Sequence, residues 1–334
     1  MSTLRRLRWI PAAFLLHGLA LLGPPASAAP PDRGSISFVF ENDVFVGTDR
    51  NYTNGLLLSY LSGAQSEETL PSRVARALSI GAPPDVTRFG VSLGHSLFTP
   101  EDISVATPLP DQHPYAGWLY LGASLVAERG RHLDALSLQV GIVGPAAQGE
   151  WAQKKVHELV DTTEPRGWNN QLKNEPGVVV TWDRVWRLDA PFRAGRIGAD
   201  VLPSVSLSAG NVLTQAAVGA MFRLGTGLEG DFGPVRIGPS LAGAGPRTLR
   251  DRFGGYFFVG GAGRAVAQNI FLDGNTTRRS QSVDRRVLVA EGQGGLVLFY
   301  GRYQLAFSAV VRSREFETQR TTQAFGALSI GARL

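Results

Sequence analysis

The chain has 334 residues, 43% hydrophobic and 18% charged, with 40 glycines, no cysteine and a formal net charge of +5. Three of its arginines, Arg5, Arg6 and Arg8, precede an N-terminal apolar run, so the remainder carries only about +2, which is no nucleic-acid-binding balance. The missing cysteine excludes a disulfide framework and thiol chemistry.

The basic residues, the apolar run from Trp9 to Leu22, the Gly23-Pro24-Pro25 break and the small residues Ala26-Ser27-Ala28 read as a secretory signal peptide over residues 1–28. One domain, 29–334, is expected to follow. No later run reaches the eighteen or so apolar residues of a membrane-spanning helix.

Beyond the leader, apolar residues alternate with small or polar ones, as in Leu136-Ser137-Leu138-Gln139-Val140-Gly141-Ile142, the period-2 pattern of a strand with one greasy face. The pattern recurs at 36–41, 53–62, 88–94, 115–126, 133–143, 177–187, 197–208, 217–224, 255–263, 287–299, 303–312 and 323–334. About twelve strands is an even number open to a bacterial membrane barrel, and the polar faces are built of serine, glycine, alanine and threonine. The expected fold is all-β: a transmembrane, antiparallel, up-and-down β-barrel. A soluble sandwich or lipocalin-like barrel alternates equally well. The export signal, the strand count and the apolar final strand, with Leu328, Ile330, Ala332 and Leu334 on one face, favour the membrane barrel. A short helical insertion near 146–160 interrupts the pattern, with Trp151, Val156 and Leu159 spaced as one face and Pro145 near its start.

Several segments carry candidate chemistry. Glu41-Asn42-Asp43 and Thr48 to Gly55 gather carboxylates, amide oxygens and hydroxyls, the hard-oxygen set calcium prefers, and are equally the composition of a polar turn. Histidine is scarce outside the leader: His95, His113, His132 and His157. His157 lies on the expected helix with Gln153 one turn before it and the polar segment holding Glu164, Trp168 and Asn169 after it, which suits a general base and also a solvated helix residue. Gly90-Val91-Ser92-Leu93-Gly94 spells a nucleophile-elbow motif, but mid-strand and with no helix following. Arg247, Arg250, Arg252, Arg278, Arg279, Arg285 and Arg286 fall in expected loops, as contacts for anionic lipid head groups or as solvated charge.

In collinear order, ENDVF at 41–45, TDRNYTNGLLLSY at 48–60, HPYAGWLYLG at 113–122, GPAAQGEWAQKKVH at 144–157, PRGWNNQLKNEPG at 165–177 and REF at 314–316 resemble the outer-membrane lipid A 3'-O-deacylase family. The resemblance implies a twelve-stranded barrel in the bacterial outer membrane that hydrolyses the 3'-linked acyloxyacyl ester of lipid A in lipopolysaccharide. It implies calcium (Ca2+) as cofactor; the charge balance points to no nucleic-acid partner, and a monomer is expected. It places Asn42, Asp43 and Thr53 at the metal, with Asn42 and Asp43 also in the active site. His157 becomes the base that activates water, with Glu164 as its orienting acid and His113 and Trp168 against substrate. The family's acidic residue after the histidine aligns without gaps to Thr163, so Glu164 requires a local shift, and His113 stands where many members carry arginine. An outer-membrane phospholipase and a passive porin-like or structural barrel are the alternatives.

Overall fold

The computed structural model describes residues 32–43, 51–78, 83–160, 163–238 and 253–334, with the side chains of 51–53, 159 and 160 excepted. The segment expected to be the leader, and Arg247, Arg250 and Arg252, lie outside the described residues.

Thirteen strands follow one another: β1 (Ser35–Asn42), β2 (Asn51–Leu61), β3 (Val86–Thr99), β4 (Ala116–Arg129), β5 (His132–Val143), β6 (Glu175–Trp186), β7 (Leu188–Ala194), β8 (Ile197–Gly210), β9 (Leu213–Gly225), β10 (Phe253–Asn269), β11 (Leu288–Tyr300), β12 (Tyr303–Arg312) and β13 (Gln323–Arg333). Helices α1 (Leu70–Leu78), α2 (Gly149–Val160) and α3 (Ile270–Asp273) sit between them. Every pairing is antiparallel between neighbours in sequence except two: β1 pairs with β13, and β6 with β8. Those two contacts close a twelve-stranded barrel and leave β7 as an extra strand pairing with β8 alone. Closure removes the sheet edges, so every spanning strand has its backbone groups paired. All twelve expected strands are present, while β7 and α1 were not expected.

Ser35, Ser37 and Val39 of β1 face inward and are buried, whereas Ile36 and Phe38 face outward and are exposed. The same holds around the ring, where Leu56, Leu58, Val91, Leu93, Leu121, Val140, Val180, Val218, Phe257 and Ile330 all lie exposed on the outside. Such an apolar exterior is stable only against hydrocarbon. The start of β1, the end of β13 and the connections 130–131 and 301–302 lie at one end, called here the base. The other end, the rim, carries the end of β1, the start of β2 and the described connections 100–115, 144–160, 163–174, 270–287 and 313–322.

Part of the inside is occupied by the chain itself. After β9 the chain turns into the barrel, and Phe232 and Val235 join the core that includes Trp118, Tyr120, Val179 and Leu202. Arg236 donates to Glu291 at 2.8 Å, the Ile237 amide donates to Glu41 at 3.0 Å, and Gln139 donates to the Gly238 carbonyl at 3.1 Å. Arg264 and Arg312 also reach Glu291, at 2.9 and 2.8 Å. An internal plug whose charges pair with those of the wall therefore occupies the lumen.

Candidate functional site on the outer wall at the rim

The insertion between β5 and β6 begins with a 3-10 turn, Pro145–Ala147, and Gln148 then takes a left-handed backbone (φ 59°) before α2 starts at Gly149. A side chain on Gly149 would run into the Trp168 ring at 2.6 Å, so the close approach there requires glycine. α2 packs against β3 and β4. Contrary to the expected apolar face, Trp151 is exposed and the buried side of the helix carries Gln153 and His157. The apolar support comes from below: Trp168, 1% exposed, packs with Leu97, Ile103 and Tyr115, with Ala152 of the helix laid against them.

That support fixes two polar groups. The Trp168 indole N–H donates to Gln153 Oε1 at 2.7 Å, which orients the Gln153 amide and leaves its buried Nε2 without a hydrogen-bond partner. The ring of His157 lies 2.6 Å, Nδ1 to oxygen, from the Thr163 carbonyl. A carbonyl can only accept, so Nδ1 carries the proton and the Nε2 lone pair of neutral His157 is left available, as a base requires. The orienting acceptor is thus the backbone of Thr163. Glu164 is exposed, with its carboxylate 3.9 Å from Lys154 Nζ, and Lys154 also pairs with Glu150 at 2.8 Å. These two carboxylates raise the Lys154 ammonium above its ordinary value, the Glu150 hydrogen bond contributing most.

Strand register shows where the helix lies relative to the Asn42-Asp43 pair. Gly326 stands opposite Asn42, Asn42 opposite Asn54, Asn54 opposite Leu97, and Leu97 opposite Gly117. Paired residues share a face, and this row continues the outward series Phe38, Leu58, Leu93 and Leu121. A side chain on Gly117 would meet Ala147 at 3.2 Å and Gly149 at 3.4 Å, so the start of α2 sits on this row from outside. On the outward face of β1–β4, from the basal Tyr60–Phe89 pair to the rim, the described side chains are apolar or glycine except Asn42, Asn54, His95 and Thr99. Polar side chains facing hydrocarbon are costly unless they have work to do. These four occupy the adjacent strands β1, β2 and β3, with β1 and β3 about 10 Å apart at the usual strand spacing.

Asn42 and Asn54 are both buried, and Asp43, just past the end of β1, is fully so. Thr53 falls at the irregularity between Tyr52 and Asn54 in the β2–β3 ladder, a place where a bulge re-aims side chains; its own side chain lies outside the described residues. Sequence reasoning gave Asn54 and His95 no distinct role. His95 has a buried Nε2 without a hydrogen-bond partner, and the signal that could have found both was a polar residue on the lipid-facing parity of a strand. His113 is buried behind the rim, stacked on Phe98 at 5.5 Å and edge-on to Phe316, with Nδ1 donating to the Pro114 carbonyl at 2.7 Å. Burial holds its imidazole below the ordinary value, opposed by the Pro114 carbonyl and Glu315. Trp168 is covered by the helix it supports, so any influence on a ligand passes through Gln153 and α2. Ser92 faces the lumen in the middle of β3.

A closed barrel with an apolar exterior, carrying a polar patch roofed by a helix on its outer wall, defines an outer-membrane β-barrel with a candidate site facing the membrane. The family model of outer membrane protein LpxR matches residues 13–334. The chain belongs to the LpxR family, outer-membrane enzymes that modify lipid A. Its structure is similar to that of LpxR from Salmonella typhimurium, with TM-score 0.74 and 19% identity over 90% of this chain and 100% of that one. The β domain of the Bordetella autotransporter BrkA is a more distant likeness, at TM-score 0.42 and 11% identity over 90% and 99% of the two chains. No curated protein sequence matches the chain.

Proposed function

We propose that the chain hydrolyses the 3'-linked acyloxyacyl ester of lipid A with water activated by His157. The observation that carries the proposal is the His157–Thr163 hydrogen bond, which sets the tautomer a base needs, on a helix roofing a polar patch in the lipid-facing wall. A lipid ester in the outer leaflet reaches that wall sideways, with its acyl chains remaining in the bilayer.

His157 takes a proton from the attacking water through Nε2 and returns it to the 3'-oxygen as the acyl–oxygen bond breaks, releasing the acyloxyacyl chain as its acid. Gln153, held by Trp168, offers an amide N–H one helical turn from the base, the kind of fixed donor that stabilises developing oxyanion charge. Asn42, Asp43 and Thr53 would hold calcium: their donors are all oxygens, and no cluster of three or more histidine or acidic ligands suited to another metal occurs among the described residues. Positive charge that polarises the ester carbonyl is the chemistry such an ion supplies when bound. Lys154 pairs with Glu150 on the exposed side of α2 and lies 3.9 Å from Glu164, contacts too exposed to orient His157.

Two observations weigh against the rival readings. Ser92 faces the lumen, away from the wall on which α2 sits, and residues 231–238, held to the wall inside the barrel, obstruct the path a channel would need. The test is release of acyloxyacyl fatty acid from purified lipid A by the detergent-solubilised protein. Activity lost in His157→Ala and retained in Ser92→Ala supports the water mechanism, whereas loss in Ser92→Ala would turn the reading toward a serine-dependent lipase.

A further inference from the structure

We propose that α1 is an interfacial anchor, seated by its Leu70–Val74–Leu78 stripe in the glycerophospholipid leaflet at the base of the barrel. α1 has three distinct sides. Ser72 and Ala75 are buried against the protein, Arg73 and Arg76 are exposed on a second side, and Leu70, Val74 and Leu78 are 72%, 39% and 58% exposed. A spacing of four places these three apolar residues on one stripe of the helix. A single exposed leucine is ordinary, but a whole apolar stripe beside a basic flank is the pattern of a helix lying in a membrane interface.

The occupant follows from continuity with the lipid-facing wall. Residues after β2 keep pairing with the first residues of β3: Ser62 N–H donates to the Phe89 carbonyl at 2.8 Å and Gln65 N–H to the Thr87 carbonyl at 2.9 Å. This ties the helix to the depth of the basal Tyr60–Phe89 pair, whose rings lie 6.1 Å apart on the outside of the barrel, where an aromatic girdle marks the edge of the hydrocarbon. α1 packs against β3 and β4. Thr87, on the outward face of β3, is 4% exposed, so the helix lies over the outer wall and not over the mouth. The stripe is then level with the acyl-chain boundary of that leaflet, and Arg73 and Arg76 with its phosphates. Glu67, 3.2 Å from Arg76, sets the rotation by tethering the basic flank to the preceding turn.

The chain has no cysteine, so single probes report cleanly. Val74→Cys, Leu78→Cys and Arg76→Cys would each be labelled with an environment-sensitive fluorophore and reconstituted into vesicles of phosphatidylethanolamine and phosphatidylglycerol. Barrel closure is checked by heat-modifiable electrophoretic mobility. Emission at 74 and 78 is expected to be blue-shifted relative to 76. Chains carrying a doxyl group near the carboxyl end should quench it more than those carrying one near the methyl end. Equal emission at all three positions, or emission insensitive to doxyl lipid, would overturn the proposal. A blue shift at 74 that grows with protein concentration and resists doxyl quenching would assign the stripe to a second copy of the chain, and would equally overturn it.

Discussion

Arg223 holds the plug to the wall at the base, and replacing it tests how the closed interior is stabilised. Its guanidinium is fully buried and donates to both carboxylate oxygens of Asp200, from Nε at 2.8 Å and from a terminal nitrogen at 2.5 Å. It also donates to Asp231 at 2.5 Å and to the Leu228 carbonyl at 2.8 Å, and lies 4.9 Å from the Tyr256 ring centre. Arg223→Met keeps the length and removes every donor. Asp231 retains Tyr256 and Gln304 as partners, at 2.9 and 3.2 Å, whereas Asp200 keeps only the more distant Arg187 at 3.8 Å. One buried carboxylate left almost uncompensated costs about 3–5 kcal/mol. With a urea dependence of roughly 1–3 kcal/mol/M, the unfolding midpoint should fall by at least about 1 M. The assay is urea unfolding of the reconstituted barrel followed by tryptophan fluorescence. Arg131→Met serves as the control, because the exposed Arg131–Asp189 pair should contribute nothing measurable. A midpoint for Arg223→Met that coincides with the wild type would refute the reasoning.

Trp168→Phe keeps the packed ring but leaves the buried Gln153 Oε1 without its donor; such a loss costs about 1–3 kcal/mol, so kcat on lipid A should fall about fivefold or more with the barrel still closed. Glu164→Gln should retain most of the activity, because His157 takes its orientation from the Thr163 carbonyl; a loss as complete as that of His157→Ala would contradict this geometry. His113 contributes pH-dependent stability. Its folded-state value is lowered, so this contribution is complete above about pH 6.5, the unfolded value, and is lost as the pH falls from there through the folded value. The urea midpoint should therefore drop between about pH 7.5 and about pH 5, and less so in His113→Phe.

The barrel was legible in the sequence because lipid outside and packing inside impose the period-2 alternation on every strand. What escaped has no such period. Residues 231–238 read as a glycine- and proline-bearing loop and turn inward only because Glu41, Gln139 and Glu291, distant in sequence, meet Arg236, Ile237 and Gly238 there. α1 is a single short helix in a connection, and β7 forms a hairpin outside the ring, so neither was demanded by closure. At the site, the residues of α2 and of the Asn42-Asp43 pair could be named from sequence, but which face of the wall they share follows only from the register of four strands. Helix periodicity grouped Trp151 with Val156 and Leu159 on one apolar face, whereas the polar Gln153 and His157 are the buried side, because Trp168 and Thr163 supply their partners from the segment that follows.

Mass spectrometry of lipid A from cells producing the wild-type chain, Asp43→Ala or His157→Ala, with calcium present and then chelated, tests the central claim most directly. Loss of one acyloxyacyl mass from the 3' position only with the wild-type chain and only with calcium is the expected result. Unchanged lipid A in the presence of folded, membrane-inserted wild-type protein and calcium would contradict it, as would full deacylation by His157→Ala.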